Sequence, residues 1–200
     1  VPTGVAIHDV RDQLFDAAER VLLRDGPSAL TSRAVTTEAG VAKGVLHRHF
    51  ADFDAFLAEL VLDRVARLDD RITTLRGSAG TGTVADNLTH ALTDLFRPVA
   101  VSIVSLVTSR DELRARLRRT RPTGIPFLTD TAIGIASYLT AERGLGRIAA
   151  DADVDTLAPT LVGAVHMLAA DRQGTQPEAG AVHRVVTAVI AGVERAPRRQ

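Results

Sequence analysis

Lys43 is the single lysine in a chain that otherwise draws its cations from 23 arginines, and it stands in the run Val41-Ala-Lys-Gly-Val-Leu-His-Arg-His-Phe50. Those residue types suit contact with a polyanion. Lys43 and Arg48 supply charge, Gly44 lets backbone approach a phosphate, and Val45 and His47 complete the same short helix. From Thr31 to Phe50 the only acid is Glu38, against Arg33, Lys43 and Arg48. The whole chain is neutral, with 24 basic and 24 acidic residues, so any nucleic-acid contact must come from such a local patch. A solvated helix face would look the same by composition alone.

Other chemistries find little support. His47 and His49, two residues apart on a helix, point about 200° from each other and cannot share a metal. Cysteine is absent, which excludes disulfide frameworks, cysteine-based zinc sites and thiol nucleophiles. No Ser/His/Asp ordering, Gly-rich phosphate loop or carboxylate cluster at metal spacing occurs, so neither an enzyme nor a cofactor or metal is expected. Seven arginines between Arg97 and Arg121 face only Asp111 and Glu112. They read as a solvated surface helix, with a basic rim for an anionic ligand as the sharper alternative.

The elements that must position these residues are helices throughout. Val10, Leu14, Ala17, Ala18 and Val21 share one face, and Gly26-Pro27 ends that helix. Thr31 can cap a second helix that Gly40 terminates, and a third spans Lys43 to His49. Asp52 can cap a long fourth helix reaching about Leu75. Gly77 to Thr83 is a break. A fifth helix carries Val84, Leu88, Leu92, Leu95, Val99, Ile103 and Leu106, kinked at Pro98. A short Arg-rich helix, one through Leu128 and Leu139, and two final helices complete an all-α chain of about nine helices. Arg195, Arg198 and Arg199 read as a frayed tail.

The run from Leu14 to Leu57 resembles the tetracycline-repressor (TetR) family of bacterial regulators. Leu14, Ala17-Ala18, Val21-Leu22, Gly26, Thr31, Val35, Ala39-Gly40-Val41, Gly44, Leu46, His49-Phe50, Asp52 and Phe56-Leu57 carry the likeness without a gap. The resemblance implies a helix-turn-helix DNA-binding domain over 8–52 and a helical ligand-binding and dimerisation domain over 53–200. It implies a homodimeric, ligand-responsive regulator, usually a repressor, whose partners are operator DNA and a small-molecule effector. By the same resemblance Thr31, Ser32 and Arg33 touch phosphates while Lys43, Gly44, Val45, His47 and Arg48 face the groove. Four positions depart from the family pattern. Thr36 replaces the usual Ala where two helices nearly touch. Ala42 replaces a capping Ser, worth about 1 kcal/mol. His47 replaces Tyr, and Phe53 replaces a phosphate-contacting Lys. These departures motivate a second reading, a helical small-molecule or partner-binding protein with a decayed DNA head.

The last two helices carry apolar faces suited to a two-fold four-helix seam: Leu161, Ala164, Val165 and Leu168, then Val186, Val189, Ile190 and Val193. Phe127, Thr131 and Tyr138 line one flank of their helix, with Gly134 leaving room beside the tyrosine ring. With Phe96, Ser102 and His166 they form either an effector pocket or ordinary core. No uncharged run is long enough to span a membrane, and the first residues lack a signal-peptide layout, so a cytoplasmic protein is expected.

Overall fold

The computed structural model describes residues 3–170 and 175–195, with side chains described from Val10 onward. Arg198 and Arg199 of the expected tail lie outside those residues. Eleven α-helices and a 3₁₀ turn at Pro27–Ala29 are present among the described residues, with no strand beyond an isolated bridge between Ile148 and Glu194. In order they are α1 (Thr3–Asp25), α2 (Ser32–Glu38), α3 (Gly44–His49), α4 (Phe53–Ala66), α5 (Leu68–Gly77) and α6 (Val84–Leu95). Then follow α7 (Pro98–Ser109), α8 (Asp111–Leu117), α9 (Leu128–Gly144), α10 (Val154–Ala170) and α11 (Ala179–Ile190).

The count exceeds nine because two expected long helices are each broken. One breaks at Arg67, whose ψ of −9° departs from the helical value. The other stops at Phe96 and restarts with Pro98 as the first residue of α7. Proline has no N–H for the carbonyl of Asp94, and Arg71 Nη1 donates to that carbonyl instead, at 3.3 Å. Arg195 is not frayed, since its N–H donates to the carbonyl of Arg147 at 2.8 Å.

The chain packs as two compact units. One comprises residues up to Arg64 with Ser102–Thr123; the other comprises Val65–Val101 with the residues from Gly124 onward. Packing therefore adds most of α4 and the 102–123 segment to the three N-terminal helices. In the first unit Leu14, Ala17, Ala18, Val21 and Leu22 of α1 are buried, as their spacing predicts. Phe15 meets Phe50 and Phe56 at centroid distances of 5.9 and 5.6 Å, and Phe50 meets Phe56 edge-on at 5.0 Å. Arg64 is buried but answered by three carboxylates, Asp16 at 3.0 Å, Glu19 at 2.8 Å and Asp63 at 2.5 Å. A buried guanidinium so paired ties α4 to α1; removing its partners would leave an uncompensated charge.

In the second unit α9 packs on α5 and α10, and α11 packs on α6 and α10. The fully buried Glu142 of α9 accepts from the Tyr138 hydroxyl at 2.6 Å and from the Gly80 N–H at 3.3 Å. Arg147 Nε lies 3.5 Å from its other oxygen. Asn87 in turn donates to the Tyr138 hydroxyl at 3.1 Å and to the carbonyls of Ser78 and Thr81. The 78–83 turn is thus fastened to α9 by a buried carboxylate.

Gly134 does not leave room beside Tyr138. A Cβ there would stand 2.7 Å from Ile72 Cδ1, because the absence of a side chain lets α5 seat Ile72 directly on the α9 backbone. Gly134→Ala should therefore destabilise the protein by roughly 1–3 kcal/mol through overpacking. Combining it with Ile72→Val should recover part of that loss. Urea denaturation of the single and double variants checks both, and additive losses would refute the contact.

Candidate functional site

The turn between α2 and α3 is built from local backbone chemistry. Thr31 Oγ1 accepts from the Ala34 N–H at 3.1 Å and caps α2. At the other end Gly40 adopts φ +67°, its N–H donating to Thr37 O and the Val41 N–H to Thr36 O. That pair of bonds is a Schellman closure, which requires the left-handed residue glycine supplies. Gln13 of α1 donates to the Ala39 carbonyl at 2.8 Å, tying the same turn to the core. The hydroxyl of Thr36 is satisfied within α2, donating to Ser32 O at 3.0 Å and Arg33 O at 3.2 Å. Lys43, rather than Ala42, occupies the cap position of α3, and no side-chain hydrogen bond caps the helix.

On this scaffold Leu46 and Phe50 point into the core, while Lys43, Gly44, His47 and Arg48 are exposed and Val45 is half-buried. Thr31 and Arg33 are also exposed; Ser32 is half-buried, with an Oγ that is buried and unpartnered. Arg33, Lys43 and Arg48 form no ion pair among the described residues. Glu38, the lone acid of the stretch, is bound by Arg20 at 2.8 Å and Arg24 at 2.9 Å. Hydrogen bonds from those two guanidinium groups hold its carboxyl below the usual carboxylate range. The patch is therefore positive, and its one negative charge is already answered.

Phe53, where the family pattern has a lysine, stacks on Phe56 at 5.6 Å. The Arg110 guanidinium lies over its ring, 5.5 Å from the centroid. Arg110 also donates to the Leu30 carbonyl at 2.7 Å and lies 3.8 Å from Asp54. Asp52 caps α4 as expected, accepting from the Ala55 N–H at 2.6 Å, and its second oxygen binds Arg116, also at 2.6 Å. Arg97 pairs with Asp94, Arg114 with Asp111 and Arg116 with Asp52.

Of the residues expected at an effector pocket, Phe96, Phe127, Thr131 and Tyr138 are buried in the second unit and His166 is half-buried. Ser102 is half-buried on α7 and belongs to the first unit. Phe96 meets both Phe127 and His166 at 5.9 Å. Phe127 has φ +77° and ψ −58°, a strained conformation for a side-chain-bearing residue, and its ring nonetheless lies edge-on to Phe96. The hydroxyls of Thr93 and Thr131 and Nδ1 of His166 are buried without a partner. Thr93 was not singled out from the sequence, since it sits one turn before Phe96 in an otherwise ordinary helix. The Tyr138 hydroxyl is committed to Glu142 and Asn87, and burial beside that carboxylate pushes its pKa up. A surface cleft of about 370 Å³ between α5 and α6 is lined by Arg71, Thr74, Leu75, Asn87, His90 and Asp94, none of them a site residue expected from the sequence.

Of the eight residues expected at a dimer seam, Leu161, Val165, Val186 and Ile190 are buried within the protomer and form its own core, because their faces meet α9, α6 and each other's helix. Ala164, Leu168, Val189 and Val193 are half-exposed. Met167, off the apolar stripe and overlooked in the sequence, is 72% exposed. No group of three or more His, Asp or Glu positioned for a metal occurs among the described residues, and no single helix among them is long and apolar enough to cross a membrane.

An exposed cationic face on the third helix of an all-helical chain defines a helix-turn-helix protein. Residues 14–60 match the family model of bacterial regulatory proteins, tetR family. The fold is shared with a transcriptional regulator from Rhodococcus sp. Rha1 (TM-score 0.71, 23% identity, 94% of this chain and 99% of that one). It is shared with a TetR-family regulator from Agrobacterium tumefaciens (0.72, 12%, 94% and 100%) and with FadR from Bacillus subtilis in complex with stearoyl-CoA (0.68, 18%, 92% and 99%). No curated protein matches the sequence. Residues 14–60 thus match the TetR-family model, and the whole chain shares the fold of these regulators.

Desolvation lowers the pKa of His166, so the ring is held neutral in the folded chain. A depressed folded pKa means the unfolded state takes up the proton first as pH falls. The stabilisation is complete above the ordinary histidine value of about 6.5 and is lost progressively below it. Urea midpoints of wild type and His166→Gln, compared between pH 7.5 and 5, should show the wild type losing more stability on acidification. Parallel curves would refute a desolvated imidazole.

Proposed function

We propose that this chain is a DNA-binding transcriptional regulator, a repressor released from its operator by a small molecule. The observation that carries the reading is the exposed, unpaired set Arg33, Lys43 and Arg48 on a helix pair locked by the Gly40 closure, with Glu38 neutralised beside it. Thr31, Ser32 and Arg33 bind phosphates; Lys43, Gly44, Val45, His47 and Arg48 enter the major groove. The protein acts as a soluble cytoplasmic homodimer, and it performs no catalysis of its own.

The effector lodges in the second unit beside Phe96, Phe127, Thr131 and His166. An apolar aromatic wall with buried hydroxyl and imidazole groups lacking partners is the arrangement a small ligand with a few polar atoms completes. FadR of Bacillus subtilis holds stearoyl-CoA, and the multidrug-binding protein EbrR holds imidazole, which supports small-molecule sensing on this fold. Ligand binding lowers operator affinity when it favours the dimer state whose two heads fit DNA less well.

Two experiments test these points. The purified chain should bind a duplex taken from the DNA flanking its own coding sequence more tightly than a random duplex. Lys43→Ala and Arg48→Ala should each weaken that complex and reduce its salt dependence by about one counterion. Equal affinity for both duplexes would end the regulator reading. For the dimer, light scattering should give twice the chain mass at micromolar concentration, and Met167→Glu, placing a charge at an exposed apolar position of α10, should shift it toward monomer. A wild type that is monomeric there would refute the seam.

A further inference from the structure

The helix-turn-helix has a neighbour in its own compact unit that a three-helix DNA head does not require. The segment 110–119 packs with residues up to 64 and brings five arginines to that unit. Two are fastened to it. Arg110 donates to the carbonyl of Leu30, the residue immediately before Thr31, and lies over Phe53. Arg116 binds Asp52 at the start of α4, at 2.6 Å. A third, Arg114, is used within α8, paired with Asp111.

The remaining two, Arg118 and Arg119, are exposed, and their side chains have no partner among the described residues. They follow Arg116 in the turn that closes α8, where the Arg119 N–H donates to the Arg116 carbonyl at 3.2 Å. Arg119 therefore stands about one turn from the residue that reaches Asp52. Glu112, the acid on α8 that forms no ion pair among the described residues, lies in its first turn, about 10 Å of helix rise from this pair. Two adjacent guanidinium groups left uncompensated, on a segment anchored beside Leu30 and Asp52, form a fixed cationic extension of the same unit that carries Arg33, Lys43 and Arg48.

We propose that Arg118 and Arg119 are a second phosphate-binding element of the DNA head, contacting the duplex backbone outside the groove read by α3. The inference rests on the DNA-binding reading above and deepens it. The ligand is the phosphodiester backbone, for which guanidinium is suited by its donor fork and permanent charge. Such contacts carry no base information, so the element adds affinity and salt dependence while leaving sequence preference unchanged. Arg110 and Arg116 are positioning residues, holding the turn in place by their bonds to Leu30 and Asp52.

The test uses the full chain and a labelled random-sequence 30-base-pair duplex, with affinity measured across a potassium chloride series. The double variant Arg118→Ala, Arg119→Ala should bind more weakly, with the log–log salt slope reduced by about 2 per bound subunit. Arg118→Lys with Arg119→Lys should keep most of the slope, since charge alone serves the backbone. Arg116→Ala should lower affinity in part, and Arg184→Ala, an exposed arginine of the other unit, should not change it. The relative preference for a duplex flanking the chain's own coding sequence should be the same in the double alanine variant as in wild type.

An unchanged slope in the double alanine variant, with Lys43→Ala still weakening binding, overturns the second element and leaves the regulator reading standing. A wild type that binds no duplex, or Lys43→Ala and the double variant both without effect, overturns both. Loss of sequence preference in the double variant also overturns the inference, since it assigns these residues to base readout or to the shape of α3.

Discussion

The orientation of α3 depends on Phe50. This residue ends the helix, and its ring is held between Phe15 of α1 and Phe56 of α4, with the Arg11 guanidinium 4.5 Å from its centroid. A six-residue helix has too few internal hydrogen bonds to be stable alone, so tertiary anchoring must supply both its existence and its direction. Leu46 buries one side and Phe50 the end; Lys43, His47 and Arg48 are exposed as a consequence. The Gly40 closure sets the angle at the other end, where Val41 follows a backbone that turns left-handed for one residue. Charge at the surface is thus aimed by apolar packing beneath it.

Charge pairing does a different job in each unit. In the first, several acids are answered by arginine: Glu38 by Arg20 and Arg24, Asp52 by Arg116, and Asp16, Glu19 and Asp63 by the buried Arg64. An overall neutral chain can therefore present a locally positive face, because Glu38 and Asp52, the acids nearest Arg33, Lys43 and Arg48 in sequence, are spent on ties to arginine. Phe53 fits the same scheme. It forgoes a positive charge at the start of α4, and Arg110 brings one back over its ring from a distant part of the sequence. In the second unit the buried Glu142 acts as a fastener for the 78–83 turn, gathering Tyr138, Gly80 and Arg147 around one carboxylate.

The same unit leaves polar atoms unanswered in one region. Thr93, Thr131 and His166 each bury a donor or acceptor without a partner near the Phe96–Phe127 pair. Unsatisfied buried groups cost free energy, as does the strained backbone of Phe127. Their concentration around the aromatic pair contrasts with the complete hydrogen bonding at Glu142 a few turns along α9. The second region fastens a turn, whereas the first keeps polar capacity that the protein itself leaves unused.

Helical periodicity, cap residues and glycine placement were sufficient for the all-α class, the Thr31 and Asp52 caps, the Gly40 stop and the exposed cations of α3. Those features are local: a cap needs neighbours three residues away, and a left-handed turn needs one glycine. The family likeness over Leu14 to Leu57 was legible for the same reason, since it lies in a short gapless run. Everything that depended on which distant face meets which was decided by tertiary structure. The apolar stripes of α10 and α11 could serve a partner chain or the protomer's own core, and periodicity cannot distinguish them; Leu161, Val165, Val186 and Ile190 proved to be core. Gly134 could open a space or admit a neighbour, and Ile72 from α5 fills it. The Arg-rich stretch could be one surface or several, and only the fold brings Arg110 to Leu30 and Arg116 to Asp52, across 80 and 64 residues of sequence. Long-range side-chain pairing leaves no periodic trace in the chain, so its outcome is visible only once the helices are packed.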